Sequence, residues 1–324
     1  MSLAAATTAV ALGAAPAGAD PQATPEATRA KVDRLFEQAE RATERYNEAG
    51  ERVTELRARL DAAQDTAARG QQRVNAMRGA LGSLAGAQYR TGGVDPTLAL
   101  LLSSDPDGYL EKAAVLDRVG ARQSGTLREL ALAQRSLGQV RQEATRDLAE
   151  LERSRAAVAR HKRTVEGRLA EARRLLTALT RADRATYDRA SRSDRSELPG
   201  ALSDPGTPAT TRAGAAVRAA QGAVGRPYIW GANGPSGFDC SGLTQWAYAQ
   251  AGVGLPRTSQ AQRQAGTRVP LSQARPGDLV AYRDDASHIG MYVGNGQVIH
   301  APYPGASVRY DPVGMLPVSS VTRI

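Results

Sequence analysis

Cysteine is almost missing. Cys240 is the only one in 324 residues, so no internal disulfide can staple the chain and no zinc site of paired cysteines can form. Histidine is nearly as scarce, at His161, His288 and His300. Aromatic residues make up 4% of the sequence, too few for one large ordinary core. Lysine is confined to Lys31, Lys112 and Lys162, although Lys and Arg together number 42 against 33 Asp and Glu. The net charge of +9 is therefore carried by arginine. It implies anionic surroundings: nucleic acid, anionic lipid or anionic wall polymer. No zinc spacing and no interleaving of aromatic with basic residues supports nucleic acid, which is not expected as a partner. Long apolar runs are lacking as well. Residues 1–19 are uncharged, weakly apolar and too poor in large side chains to span a membrane. Ending in Ala17-Gly18-Ala19, they read as a signal peptide without its basic start, which makes the protein secreted and wall-associated. A lone thiol in a secreted protein is an oddity that asks for a function.

What the chain has in plenty is alanine, arginine, leucine and glutamate in its first two thirds. Apolar positions step by three and four from Val32: one row is Val32, Ala39, Tyr46, Val53, Leu60 and Ala67, the other Leu35, Ala42, Ala49, Leu56 and Ala63. A 3.5-residue period held this long is a coiled-coil seam. "RTGGVDP" at 90–96 stops that helix, and a short apolar run, Leu98 to Leu102, follows. A second helix repeats Leu130, Leu137, Ala144, Leu151, Val158, Val165 and Ala172 at sevens, with Asp147, Ser154, His161 and Arg168 spoiling the alternate row. Residues 25–190 are thus expected to form an antiparallel helical hairpin with a looser second seam, and His161 to be a partly exposed helix residue. Residues 191–212, rich in Ser, Pro, Gly and Thr, read as a flexible linker. A linker of that size spans ~25–30 Å as a random coil, so the helices could fold back over whatever follows.

The remainder, 213–324, has no Lys and no Glu, and it holds Cys240, both tryptophans and two of the three histidines. "CSGLTQWAYAQAG" reads as a helix opened by Asp239 as N-cap. "GDLVAYR", "HIGMYVG" and "QVIHAP" read as strands, the last two joined by Asn295-Gly296. Helices followed by an antiparallel sheet make an α+β domain. A helix N-terminus favours a thiolate at Cys240, lowering its pKa below the ~8.5 of a free thiol, and offers N–H groups to an oxyanion. The base must be His288 or His300. A plain two-residue turn would put the two histidines on opposite faces, because side chains alternate. A bulged three-residue turn, Gly294 to Gly296, sets His300 opposite Gly290 and within reach of His288.

"PYIWGANGPSGFDCSGLTQWAY", "LPRTSQAQ", "RPGDLVAY" and "SHIGMYVGNGQVIHAP" resemble, in order and spacing, the NlpC/p60 cysteine peptidases. The resemblance implies a papain-like α+β fold and cleavage of peptidoglycan stem peptides, typically between D-γ-glutamate and diaminopimelate. It implies Cys240 as nucleophile, His288 as general base and His300 as the residue that orients His288. It places Tyr228 beside the thiol, makes Asp239, Ser241 and Ser259 substrate-cleft residues, and matches Trp230 and Arg257 to motif positions. Ala232, where many members have glycine, would disfavour a left-handed backbone. No metal and no cofactor is expected. The helical region resembles those ahead of such domains in actinobacterial and streptococcal cell-division hydrolases, where it docks on a membrane regulator of the FtsEX type. An amidase or acyltransferase of the same fold, or an inactive scaffold recruiting other hydrolases, are the competing readings.

Overall fold

A computed structural model describes residues 24–90, 96–102, 108–179, 207–208 and 210–324. The expected signal peptide and residues 191–206 of the expected linker lie outside the described residues. The chain divides into two compact units, Met1–Ala42 with Thr164–Ile324, and Thr43–Arg163. Two long helices dominate the first part of the sequence, α1 (Pro25–Arg90) and α3 (Tyr109–Ala178), with the short α2 (Pro96–Leu101) between them.

Within Thr43–Arg163, Arg52 bonds Glu150 at 2.6 Å, Arg59 reaches Asp147 at 3.1 Å, and Gln71 accepts from Arg141 at 2.9 Å. One index falls as the other rises, so the helices run antiparallel. Leu56, Leu137 and Leu151 of the expected seams are buried, as is Val74 further along α1. Asp147 sits in a seam position because Arg59 supplies a counter-charge there. Leu84, Leu98, Leu101, Leu102 and Leu132 are exposed. His161 is half-buried on α3, and burial together with Arg45 and Arg160 lowers its pKa.

In the other unit, Val32, Leu35, Phe36, Ala39 and Ala42 of α1 form one apolar cluster with Val165, Leu169 and Ala172 of α3. The α+β domain follows with α4 (Thr211–Gly222), α5 (Cys240–Gln250), α6 (Ser259–Gln262) and six strands. The strands are β1 (Thr267–Val269), β2 (Leu279–Tyr282), β3 (His288–Gly294), β4 (Gln297–His300), β5 (Arg309–Pro312) and β6 (Val318–Arg323). They form one antiparallel sheet in the order β1-β6-β2-β3-β4-β5. α4 begins two residues inside the expected linker because Thr210 caps it, its hydroxyl accepting from the Ala213 N–H at 2.9 Å. The main core lies between α4, α5 and one sheet face and includes Phe238, Leu243, Tyr248, Ile289, Met291 and Ile299. A smaller apolar cluster, Val280, Tyr282, Val298 and Val321, draws on the same strands.

Candidate active site

The helix that carries Cys240 starts on a buried charge. Asp239 is the N-cap of α5: its Oδ1 accepts from the Gly242 N–H at 2.7 Å and its Oδ2 from the Gly231 N–H at 2.9 Å. Arg257 neutralises it through two bonds, at 2.9 and 2.5 Å, and also donates to Ser241 Oγ at 2.9 Å. Gly242 permits the closeness, since a Cβ there would lie 2.2 Å from the Ala232 carbonyl oxygen. The loop question raised by Ala232 is resolved next door: Gly231 takes the left-handed backbone, φ 74°. Cys240 follows as the first helical residue, 1% exposed. Replacing Arg257 by leucine leaves Asp239 buried without its counter-charge. The expected cost is about 3–5 kcal/mol, read as a drop in Tm of more than about 10 °C.

The expected substrate-cleft residues divide in their use. Asp239 and Ser241 build the frame just described. Ser259 donates its hydroxyl to the Ala286 carbonyl at 2.6 Å. Gln260 and Arg263 bond the carbonyls of Asp285 and Asp284 at 3.2 and 3.4 Å. Three side chains of one short segment thus clamp the β2–β3 loop that delivers His288. Tyr228 is buried in the cluster that holds Cys240, and Trp230 packs against its edge.

The histidines meet through a register shift. Met291 pairs with Ile299 and Tyr292 with Val298, but Gly294 pairs with Gln297 across the Asn295-Gly296 turn. The bulge falls between Tyr292 and Gly294, and Gly294, Asn295 and Gly296 all have positive φ. His300 therefore lies against Gly290, whose missing side chain leaves it room: a Cβ there would be 3.3 Å from that of His300. His288 Nε2 is 2.7 Å from His300 Nδ1, and His300 Nε2 is 2.7 Å from Asp311 Oδ2 on β5. Arg309 Nε donates to the same Asp311 oxygen at 2.7 Å.

This line of groups sets the tautomers. Burial pulls the His300 pKa down to about 4, against the pull of Asp311, so His300 is neutral at pH 7. Burial opposes ionisation of Asp311, but His300 and Arg309 outweigh it and hold the carboxyl below its ordinary value. The ionised Asp311 accepts a hydrogen bond from His300 Nε2–H. His300 Nδ1 is then an acceptor, and His288 must present Nε2–H to it. The lone pair of His288 Nδ1 is left for a proton from the thiol. Asp311 was not among the expected site residues. It lies eleven residues beyond His300 in "RYDP", with no motif around it, and only the β4–β5 pairing of His300 with Arg309 brings it in.

A carboxylate from outside the domain occupies this nitrogen. Glu40 Oε1, from α1, bonds His288 Nδ1, and its Oε2 accepts from Arg283 Nη1 at 2.7 Å. Glu40, Cys240 and His288 each offer a donor atom within 4.8 Å of the others', a set that could also hold a thiophilic divalent ion. Burial works against ionisation of Glu40, but His288 and Arg283 prevail and lower its pKa. The same face of α1 makes further contacts. Arg41 pairs with Asp285 at 2.8 Å, and the Phe36 ring stacks on Tyr303 with centroids 5.0 Å apart. Glu40 thus occupies the His288 nitrogen that a thiol proton would need, with a carboxylate oxygen within 4.8 Å of the Cys240 sulfur.

The NlpC/P60 family model matches residues 225–319. A probable endopeptidase of Corynebacterium glutamicum is 47% identical over 116 residues, covering 36% of this chain and 56% of that protein. The probable endopeptidase p60 of Listeria monocytogenes is 53% identical over 97 residues, 29% of this chain and 20% of that protein. The chain therefore spans only part of the length of these relatives. Among solved structures, the peptidoglycan hydrolase RipB of Mycobacterium tuberculosis aligns at 35% identity over 35% of this chain and 64% of its own, with a TM-score of 0.33.

Proposed function

Since the chain carries an NlpC/P60 domain over residues 225–319, we propose that it is a secreted cysteine endopeptidase of peptidoglycan stem peptides. Its bond is the one between D-γ-glutamate and diaminopimelate, and its role is wall remodelling or daughter-cell separation. The observation that carries the reading is Cys240 at the start of α5 with a donor atom within 4.8 Å of one on His288, which is bonded in line to His300 and Asp311. Cys240 gives its proton to His288 Nδ1 and attacks the peptide carbonyl. N–H groups at the α5 N-terminus receive the oxyanion, and His288 returns the proton to the leaving amine. Water then releases the acyl group by the same route. The net +9 charge suits an anionic wall. The exposed Leu98 and Leu101 of α2, with Leu102 just after it, are where a membrane regulator of FtsEX type would dock.

With Glu40 on the base, the arrangement is latent, so the test uses the full-length chain with Glu40→Gln. Incubated with purified wall, it should release fragments whose masses mark cleavage after γ-glutamate. Adding Cys240→Ala should abolish release. Fragments cut at the sugar–peptide amide instead would favour an amidase, and no release from any variant would overturn the reading.

A further inference from the structure

Arg283 belongs to none of the recognised motif positions, yet its place in the β2–β3 loop is tightly held. It follows the last residue of β2 with φ 62°, a left-handed backbone that a branched or bulky residue pays for. Three bonds hold it there. Its N–H donates to the Pro317 carbonyl at 2.8 Å, its carbonyl accepts from the Ala286 N–H at 3.0 Å, and the Ser259 hydroxyl pins Ala286 in turn. The guanidinium so aimed is 17% exposed; Nη1 donates to Glu40 Oε2 at 2.7 Å and to Ser287 Oγ at 3.2 Å, while Nε faces Glu37 at 3.6 Å.

The domain itself contains no glutamate between residues 213 and 324, and the anion that satisfies Arg283 is borrowed from α1. Whenever α1 withdraws, a largely buried guanidinium loses its partner, which is costly unless another anion replaces it. The replacement would lie against Arg283 Nη1, where Glu40 Oε2 lies, and would leave His288 Nδ1 to the thiol. A γ-linked glutamyl residue carries a free α-carboxylate four bonds from the carbonyl under attack. That carboxylate can reach Arg283 while the carbonyl reaches Cys240. A glutamyl residue amidated at that carboxyl offers no such group.

The geometry points to Arg283 as the residue that selects substrates with a free carboxylate on the residue donating the scissile carbonyl, Glu40 standing in its place when α1 is docked. This deepens the peptidase reading above and rests on it. A planar guanidinium fork holding a carboxylate gives both charge and geometry, and a site built for such a group rejects the analogue lacking it.

The test compares two stem peptides, one with a γ-linked D-glutamate bearing its free α-carboxylate and one with that carboxyl as the carboxamide. In the full-length Glu40→Gln chain, kcat/KM for the acid should exceed that for the amide by at least about tenfold, chiefly through KM. Adding Arg283→Asn, since asparagine tolerates the left-handed backbone, should bring the ratio to about two or below. A ratio near one in Glu40→Gln, or a ratio unchanged by Arg283→Asn, would overturn the assignment. A second measurement separates this from failure of the peptidase reading. The acid peptide should slow iodoacetamide alkylation of Cys240 in Glu40→Gln several-fold more than the amide does, and Arg283→Asn should remove the difference even if no peptide is cleaved. Equal protection by acid and amide would count against Arg283 independently of turnover.

Discussion

Replacing Glu40 by glutamine in the full-length chain should raise both the alkylation rate of Cys240 and the rate of wall hydrolysis by roughly ten- to a hundredfold. Glu40 is the negative member of a buried cluster with His288 and Arg283. Breaking one charged hydrogen bond of that kind costs about 1.5–3 kcal/mol, which is roughly ten- to more than a hundredfold in the docking equilibrium. The chemistry agrees with the sterics. An ionised Glu40 requires a proton on His288 Nδ1, so the base is already occupied, and its charge repels the thiolate beside it. Glu26→Gln, an exposed change on the same helix, is the control and should leave both rates alone. The pH dependence has a definite sign. Glu40 is held below its ordinary carboxyl pKa by His288 and Arg283, which outweigh the effect of burial, so the ionic contact stabilises docking above that ordinary value. The stabilisation is lost as pH falls through the lowered one. Residues 210–324 alone should match Glu40→Gln rather than the parent. Equal alkylation rates in parent and Glu40→Gln would remove α1 from the regulation of this site.

The second large effect should come from the histidine line. His300→Leu takes away the acceptor for His288 Nε2–H and leaves Asp311 buried against an apolar side chain. Without that acceptor, His288 is free to hold its proton on the nitrogen facing the thiol, and kcat should fall roughly a thousandfold. His300→Asn keeps an oxygen for His288 and an N–H directed at Asp311, so it should retain a measurable fraction of the rate. Asp311→Asn should be milder than Asp311→Leu, by about tenfold. One oxygen of Asp311 serves both His300 and Arg309, and Arg309 would hold the amide oxygen in that place, preserving the tautomers. Equal and complete loss in all four variants, with unchanged circular dichroism, would show that the line supports folding rather than proton transfer. The same residues set the acid stability of the domain. His300 takes its proton at about 4 when folded, against an ordinary 6.5, because it is buried. Between those values the unfolded chain binds more protons, so stability is lost as pH falls from 6.5 towards 4, at up to about 1.4 kcal/mol per pH unit. In His300→Asn that slope should flatten.

Several parts of this molecule were legible from local pattern alone. The heptads marked two long helices because a seam repeats every 3.5 residues whatever it packs on. Asp239 before "CSGL" marked the start of α5, since a cap and its helix lie within three residues of each other. The bulged turn followed from the alternation of side chains once both histidines had to share a face. The strands at 267–269, 309–312 and 318–323 escaped that reading, being short or irregular in their alternation, and Asp311 escaped with them. Ser241 and Ser259 matched motif positions, but their sequence context could not say that their side chains would be spent on Arg257 and Ala286. Glu40 and Arg283 lay furthest out of reach. Glu40 is one acid among many on a charged helix, 248 residues from His288 and 243 from Arg283. No period or spacing connects positions so distant. Only the docking of α1 on the β2–β3 loop makes the carboxylate an occupant of the candidate site, because burial and proximity, which give it that role, are properties of the assembled fold.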